Sequence, residues 1–249
     1  MRLKGKKAVV TGSSTGNGAA IARAFAREGA DVAVQYRSSA SEAEKVVKSI
    51  RARGRDSFSV KADVSVPAET KALFRQVKEK FGRLDVLVNN AGLADGAIWN
   101  ASLGAIDRGM WEKVFAVDVY GAFDCSQLAV RLMRSGGAIV NVSSTPALSG
   151  DTQGLVYACA KGAVLTMTRM LARTLAPKVR VNCMILGSIK TGWLQWFGPA
   201  EVESLRSGIP LKRFGEPEDV ANLAVFLASA ESSFMTGQGI VLDGGEVYD

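Results

Sequence analysis

The stretch Thr11-Gly12-Ser13-Ser14-Thr15-Gly16-Asn17-Gly18 joins a short apolar run to an alanine-rich helical pattern. Its glycines permit a tight turn, and the start of the following helix offers N–H groups and a positive dipole end to a pyrophosphate. The spacing is G-x-x-x-G-x-G, not the common G-x-G-x-x-G fingerprint of dinucleotide-binding proteins. A glycine loop alone is also typical of an ordinary strand-to-helix turn. In this strand–loop–helix setting we predict phosphate binding.

Outward from this loop, short β-rich runs alternate with longer amphipathic segments along the whole chain. The predicted strands are Lys7 to Thr11, Asp31 to Tyr36, Ser57 to Ala62, Leu84 to Asn89, Ala138 to Ser143, Arg180 to Ile185 and Gly239 to Leu242. The predicted helices are Gly16 to Glu28, Glu42 to Arg53, Ala68 to Phe81, Trp111 to Met133, Val156 to Leu175 and Pro217 to Ala230. Repeated βαβ units predict an α/β fold, a doubly wound Rossmann-type domain with a seven-stranded parallel sheet.

The chain has 249 residues, of which 47% are hydrophobic, enough for one sizeable core. No composition break divides it, so a single dinucleotide-binding and catalytic domain over 1–249 is expected. The segment 190–208 interrupts the alternation and carries four apolar residues, Trp193, Leu194, Trp196 and Phe197. We predict a substrate lid there, although such clusters more often belong to a core or a subunit interface.

Composition excludes several classes of function. The chain has no histidine, which removes the Ser-His-Asp triad and imidazole metal sites. Its three cysteines, Cys125, Cys159 and Cys183, are widely separated, so no metal site is expected. The net charge of +7 is spread along the chain without a basic cluster containing aromatic residues, which argues against a nucleic-acid partner.

The N-terminal and apolar segments suggest a cytoplasmic protein. Residues 1–7 are basic but lead straight into a short apolar run, without the pattern of an export signal. The longest apolar runs, Leu223 to Ala228 and Ala138 to Val142, fall far short of the roughly 20 residues that span a bilayer. We therefore expect no membrane segment.

The end of the second strand bears on the choice of cofactor. NAD-binding proteins usually place an acidic residue there for the ribose 2′-hydroxyl, whereas this chain has Gln35-Tyr36-Arg37-Ser38. A guanidinium suits a 2′-phosphate, which a carboxylate would repel. NADP(H) is therefore predicted over NAD(H), the alternative being that Arg37 is a solvated surface charge.

Ser144, Tyr157 and Lys161 are the candidate catalytic residues. Tyr157 and Lys161 are four positions apart at the start of a helix and share one face. Tyrosine is a poor base at neutral pH, and a nearby ammonium favours its phenolate form. In carbonyl reduction Tyr157 would donate the proton, and Ser144 would hydrogen-bond the carbonyl oxygen. An isolated Y-x-x-x-K is also typical of an exposed helical pair.

Taken together, the motifs resemble the short-chain dehydrogenase/reductase family in order and spacing over essentially the whole chain. They are T-G-x-x-x-G-x-G at Thr11 to Gly18, N-N-A-G at Asn89 to Gly92, Ser144, and Y-x-x-x-K at Tyr157 to Lys161. Asp63-Val64, Gly187 to Thr191, and the ending Gly237 to Gly245 also match the family pattern. Within the family the chain looks most like 3-oxoacyl-acyl-carrier-protein reductases and sugar or polyol dehydrogenases.

The resemblance assigns roles to individual residues. It implies that the cofactor is held by Gly12, Ser14, Thr15, Asn17, Gly18, Arg37, Ser38, Asp63, Val64, Asn90, Ala91, Gly92, Tyr157, Lys161, Gly187, Ile189 and Thr191. It also implies a homotetramer, formed through the long predicted helices Trp111 to Met133 and Val156 to Leu175 and through the closing segment. The small-molecule partner would be a carbonyl or alcohol substrate.

Three positions depart from the family pattern. Asp118 stands where the catalytic tetrad has asparagine, whose backbone carbonyl supports a proton path in the family. Leu186 replaces a proline, and Asn17 occupies a position that is typically apolar. Asp118 is kept as a fourth candidate catalytic residue.

Two hypotheses of function follow. The first is an NADP(H)-dependent carbonyl reductase or alcohol dehydrogenase with Tyr157 as the acid/base. The second is a catalytically silent dinucleotide-binding sensor or scaffold, because a fold does not fix a function. Intact Ser144, Tyr157 and Lys161 favour the first.

Overall fold

A computed structural model describes residues 1–247. Its seven strands form one sheet, parallel throughout, in the order β3-β2-β1-β4-β5-β6-β7. The strands are β1 (Lys7–Val10), β2 (Asp31–Tyr36), β3 (Ser57–Lys61), β4 (Leu84–Asn89), β5 (Met133–Ser144), β6 (Val179–Leu186) and β7 (Gly239–Leu242). This confirms the predicted α/β fold and its seven-stranded parallel sheet.

Ten α-helices connect or follow the strands. They are α1 (Gly16–Arg27), α2 (Ala40–Arg51), α3 (Pro67–Phe81), α4 (Gly96–Trp99), α5 (Arg108–Phe115), α6 (Ala122–Val130), α7 (Pro146–Ser149), α8 (Leu155–Leu175), α9 (Pro199–Gly208) and α10 (Pro217–Ala228). A π-helical segment, Ala116–Gly121, joins α5 to α6. Short 3₁₀ turns lie at Leu103–Ala105, Gly192–Trp196 and Ala230–Ser232.

The sheet is buried on both faces, which explains why its strands read as apolar runs. One core lies between the sheet and α1, α2 and α10, and includes Phe25, Ile50 and Leu227. The other lies under α3, α6 and α8, and includes Leu73 and Ala172. Helices on both faces of a parallel sheet are the doubly wound arrangement.

The strand order determines where the candidate site lies. Strand β1 lies between β2 and β4, so the chain crosses to opposite faces after β1 and after β4. A crevice opens at the carboxyl ends of the strands where such a switch occurs, and ligands bind there in open α/β sheets. The glycine loop after β1 and the N-N-A-G turn after β4 both border this crevice.

The structure corrects several predicted boundaries. Strand β5 begins at Met133, within the region predicted as helix, and its pairing with β4 contains a register shift between Leu84 and Val86. Segment 190–208 is not irregular, because it holds a 3₁₀ turn and α9. Helix α9 begins with Pro199, and the Glu201 carboxylate accepts the Gly198 N–H at 2.8 Å. Proline at the first helical position suits a helix start.

Helix α8 is long and apolar enough, by length and composition alone, to cross a membrane. The apolar runs considered in the sequence do not reveal this, because polar residues interrupt the helix. Buried core helices meet the same criterion, and α8 packs along β5 and β6. The helix is therefore weak evidence for a membrane span.

Candidate active site

The glycine loop has the conformation that phosphate binding requires. Gly12 and Gly16 have φ angles of 62° and 52°, in the left-handed region that favours glycine. A Cβ at Gly18 would overlap the Gly12 carbonyl oxygen, so a side chain there would disrupt the turn. Thr15 precedes α1 and its side chain makes no capping hydrogen bond, so the N-terminus of α1 has no side-chain cap.

Three polar side chains hold the glycine loop in place. Thr11 Oγ1 accepts the N–H groups of Asn90 and Ala91, both at 3.0 Å. Asn90 Nδ2 donates to the Thr11 carbonyl oxygen at 2.9 Å. Gln35, buried at the end of β2, accepts the Gly12 N–H at 2.6 Å and donates to the carbonyl of Ala62. Gly12 therefore contributes through its conformation, since its N–H is already bonded.

The residues predicted for the adenosine end lie at the ends of β2 and β3. Arg37 and Ser38 are exposed directly after β2. Asp63 and Val64 follow β3, and the Asp63 carboxylate accepts the Ser65 hydroxyl at 2.6 Å. Because β2 and β3 are neighbours, these two predicted pairs border the same end of the crevice.

The segment predicted for the nicotinamide end follows β6. A Cβ at Gly16 would lie 3.6 Å from Thr191 Cγ2, which places this segment against the glycine loop. Gly187 leaves no room for a side chain, because a Cβ would overlap the Glu246 carboxylate. Glu246 also accepts the Ser188 N–H at 2.8 Å. Ile189 is buried in a bridge with Gly215. Sequence reasoning missed the contact of Glu246 with this segment.

Tyr157 and Lys161 lie on one face of α8, as predicted. The Lys161 Nζ atom is 5.4 Å from the centroid of the Tyr157 ring, and it donates to the Val142 carbonyl oxygen at 3.2 Å. Ser144 ends β5, and its hydroxyl donates to the Leu186 carbonyl oxygen at 3.1 Å. Leu186, which stands in place of a family proline, pairs with Ser144 in the sheet. The three candidate catalytic residues thus come from adjoining elements.

The Asp118 side chain pairs with Lys161, a contact that the sequence did not predict. It lies in the π-helical segment, and its carboxylate is fully buried. Its Oδ2 atom is 2.8 Å from Lys161 Nζ, and its Oδ1 atom accepts the Leu93 N–H at 2.8 Å. Burial acts to lower the pKa of Lys161, but Asp118, together with smaller contributions from Tyr157 and Cys183, outweighs burial and holds that pKa above its ordinary value.

One tryptophan lies beside Tyr157, and a second covers the start of the helix that carries the first. The Trp99 ring meets the Tyr157 ring edge-on at 5.6 Å, and its indole N–H donates to Gln153 at 3.0 Å. A Cβ at Gly154 would overlap the Trp99 ring. Trp196, from segment 190–208, covers Gly96, where a Cβ would lie 3.1 Å from its ring. An apolar surface therefore adjoins the candidate acid/base.

The residues present fit a dinucleotide. Glycines open the loop before α1, and the Asn17 carboxamide oxygen is buried without a hydrogen-bond partner among residues 1–247, which leaves an acceptor available for a ligand. The exposed guanidinium of Arg37 suits a 2′-phosphate. Within the described residues no group of three or more metal-ligating side chains is placed to hold a metal ion.

Comparisons with known proteins cover nearly the whole chain. The family model described as Enoyl-(Acyl carrier protein) reductase matches residues 12–246. The curated protein 3-oxoacyl-[acyl-carrier-protein] reductase FabG of Staphylococcus aureus is 38% identical over 243 residues, which is 96% of this chain and 97% of that protein.

Solved structures give the same result. A short chain dehydrogenase from Burkholderia cenocepacia in complex with NADP superposes with a TM-score of 0.92 at 37% identity, covering 99% of both chains. The angucycline C-6 ketoreductase LanV with bound NADP gives a TM-score of 0.91 at 33% identity, covering 98% of this chain and 96% of that one.

Proposed function

Because the chain belongs to the short-chain dehydrogenase/reductase family, we propose that it transfers a hydride between NADP(H) and a carbonyl or secondary alcohol substrate. The observation that carries the proposal is the placement of Ser144, Tyr157 and Lys161 at the carboxyl edge of the sheet, beside an open glycine loop. Relatives of similar sequence are named as reductases and ketoreductases.

In ketone reduction Tyr157 acts as the general acid. Its hydroxyl donates a proton to the carbonyl oxygen, and the Ser144 hydroxyl turns from Leu186 to hydrogen-bond the same oxygen. Bound NADPH supplies the hydride. Lys161 holds a positive charge next to the tyrosine ring and favours a negative charge on its oxygen as the proton leaves. Alcohol oxidation uses the same groups in reverse.

The predicted cofactor-binding residues extend from the glycine loop to the segment after β6. The N-terminus of α1 would hold the pyrophosphate, and Arg37 with Ser38 would hold a 2′-phosphate. Asp63 and Val64 would border the adenine, and Ile189 with Thr191 would meet the nicotinamide. Two solved relatives contain NADP, which supports the choice of NADP(H) over NAD(H).

Arg37 is tested by reversing its charge. In Arg37→Asp the preference for NADPH over NADH, measured as a ratio of kcat/KM values, should fall by about 10- to 100-fold, because a phosphate contact is replaced by repulsion. Arg53→Asp, the same change at another exposed arginine, serves as the control. An unaltered preference in Arg37→Asp would show that Arg37 does not select the cofactor.

The substrate side favours a ketone with an apolar group next to its carbonyl. Trp99 and Trp196 supply the apolar surface, and segment 190–208 serves as the lid in this proposal. Trp99→Ala should raise KM for aryl ketones more than for a small aliphatic ketone, by about tenfold. Equal changes for both substrates would remove Trp99 as a specificity residue.

Assembly as a cytoplasmic homotetramer completes the proposal. Apolar side chains lie exposed on the π-helical segment, α6 and α8. These elements correspond to the two long helices predicted to pair subunits. They are Tyr120, Phe123, Leu155 and Met170. Burial of these side chains against a second copy would remove apolar surface from water. Light scattering coupled to size exclusion should give about four times the chain mass of 26.3 kDa, and a monomer would contradict this.

The proposal as a whole is tested by NADPH consumption on a panel of ketones. Wild type should oxidise NADPH with at least one ketone, and Tyr157→Phe should lose about 10²- to 10⁴-fold in kcat because the proton donor is gone. Tyr120→Phe, at an exposed tyrosine, should retain activity. Tight NADPH binding without turnover on the panel would favour the silent sensor or scaffold instead.

A further inference from the structure

We infer that Asp118 is a positioning residue whose carboxylate fixes the Lys161 ammonium and weakens its electrostatic effect on Tyr157. This inference rests on the proposed function, because it concerns the group that donates the proton to a ketone there. It goes beyond that function by assigning a task to the Asp118 side chain.

The geometry of the pair carries the argument. Both side chains are almost fully buried, at 6% and 0% exposure, and their charged atoms are 2.8 Å apart. The second Asp118 oxygen is tied to the Leu93 N–H, directly after the N-N-A-G turn. A Cβ at Gly92 would lie 3.1 Å from Asp118 Oδ2 and 3.4 Å from Lys161 Nζ, so this glycine makes room for the pair. Asp118 thus anchors Lys161 to the loop after β4.

The electrostatic consequence follows from the short distance. A carboxylate paired with an ammonium cancels part of the potential of that ammonium at a third group, so the Tyr157 phenol experiences less positive potential than it would from Lys161 alone. The raised pKa of Lys161 is consistent with this pairing, since Asp118 is the largest of the contributions that raise it. An asparagine at position 118 would hold the same space without the charge.

Other ionisable groups lie on the elements around Lys161 and Asp118. From β6, Cys183 contributes a thiol whose pKa burial raises to about 12, so it is uncharged at neutral pH. In the loop before α4, Asp95 caps that helix through the N–H groups of Ala97 and Ile98. Before α8, exposed Asp151 accepts the Gln153 N–H. Asp118 is therefore the carboxylate in direct contact with Lys161 among the described residues.

The test measures the ionisation of Tyr157 directly. The tyrosinate absorption band is recorded against pH for the wild type and for Asp118→Asn. The spectrum of the matching variant with Tyr157→Phe is subtracted from each, which isolates one of the four tyrosines. Asp124→Asn, in α6 on the same continuous helical stretch, is the matched control. This readout needs no substrate, so it stands even if no ketone is turned over.

Asp118→Asn should move the midpoint of Tyr157 ionisation down by about one pH unit, and Asp124→Asn should leave it unchanged. Alcohol oxidation by Asp118→Asn should then begin about one pH unit lower, while reduction at high pH weakens. An unchanged or higher midpoint would overturn the inference. If Asp118→Asn fails to fold, Asp118→Ser replaces it with the same expected shift, and an unchanged or higher midpoint in that variant would overturn the inference. Absence of turnover in the wild type would instead contradict the proposed function.

Discussion

Two lysine–aspartate pairs lie at opposite ends of the same sheet and differ mainly in burial. Lys7 and Asp31 begin β1 and β2, are paired in register, and meet at 2.6 Å with 22% and 11% of their side chains exposed. Lys161 and Asp118 meet at 2.8 Å beside the crevice with 6% and 0% exposed. The first pair ties strand beginnings together, whereas the second adjoins the candidate acid/base.

The position of each pair in the sheet determines which property of the protein it affects. Ligands bind at the carboxyl ends of the strands in open α/β sheets, so we expect the Lys7–Asp31 pair at the amino ends to act on stability. At the carboxyl ends the ammonium of Lys161 lies next to Tyr157. Loss of one partner should cost more stability at the Lys161–Asp118 pair, because a buried charge left unpaired is poorly solvated.

The largest expected difference between the pairs is in turnover. Lys161→Met should lower kcat for ketone reduction by about 10²-fold or more, because the charge that assists Tyr157 is removed. Lys7→Met should leave kcat within about twofold. Steady-state kinetics of both variants with NADPH provide the measurement. Comparable losses in the two variants would contradict the distinction between them.

The next effect is on stability. Asp118→Ala leaves a buried ammonium without its partner and should lower the free energy of unfolding by about 3–5 kcal/mol. Asp31→Ala loses a partly exposed ion pair and the hydrogen bond from the Asp56 N–H, and should cost about 1–2 kcal/mol. Urea unfolding of the two variants measures the difference. A larger loss of unfolding free energy in Asp31→Ala than in Asp118→Ala would contradict this prediction.

The Lys7–Asp31 pair also predicts a pH dependence. Burial acts to raise the pKa of Asp31, but Lys7 and the Asp56 N–H outweigh it, so the pKa is lowered on folding. Its contribution to stability is therefore present above the unfolded value of about 3.9 and is lost as pH falls through the folded value. The deficit of Asp31→Asn at pH 7 should shrink below about pH 4. A deficit that grows on acidification would contradict this sign.

The smallest effect is expected at an exposed pair. Lys45 and Glu42 meet at 2.6 Å on α2, with 63% and 46% of their side chains exposed. Glu42→Gln should change the free energy of unfolding by less than about 0.5 kcal/mol, because solvent screens the pair and the side chains lose entropy in pairing. A loss as large as that of Asp31→Ala would show that burial is not what separates the pairs.

Much of the fold was predictable because its signals are local. The glycine loop, the alternation of strands and helices, and the i, i+4 spacing of Tyr157 and Lys161 each lie within a short window of sequence. The positions of Arg37 and Asn90 follow from the ends of predicted strands. These predictions depend on periodicity and parallel topology, which a single sequence contains.

The remaining features of the site depend on contacts between distant segments. Gln35 reaches Gly12 over 23 positions, Trp99 reaches Gln153 over 54, and Glu246 reaches Ser188 over 58. No local pattern encodes such pairings. Asp118 was singled out as a departure from a family asparagine, but its contact with Lys161 depends on how the π segment packs against α8.

Hydride transfer from NADPH to a ketone is tested most directly by following the transferred hydrogen. NADPH that carries deuterium at the transferable position of the nicotinamide is incubated with the wild type and the best ketone of the panel, and the product alcohol is examined by mass spectrometry. The wild type should place one deuterium on the carbinol carbon, and Tyr157→Phe should give at least about 10²-fold less labelled alcohol in the same time. Oxidation of the cofactor without deuterium in the alcohol would contradict this account.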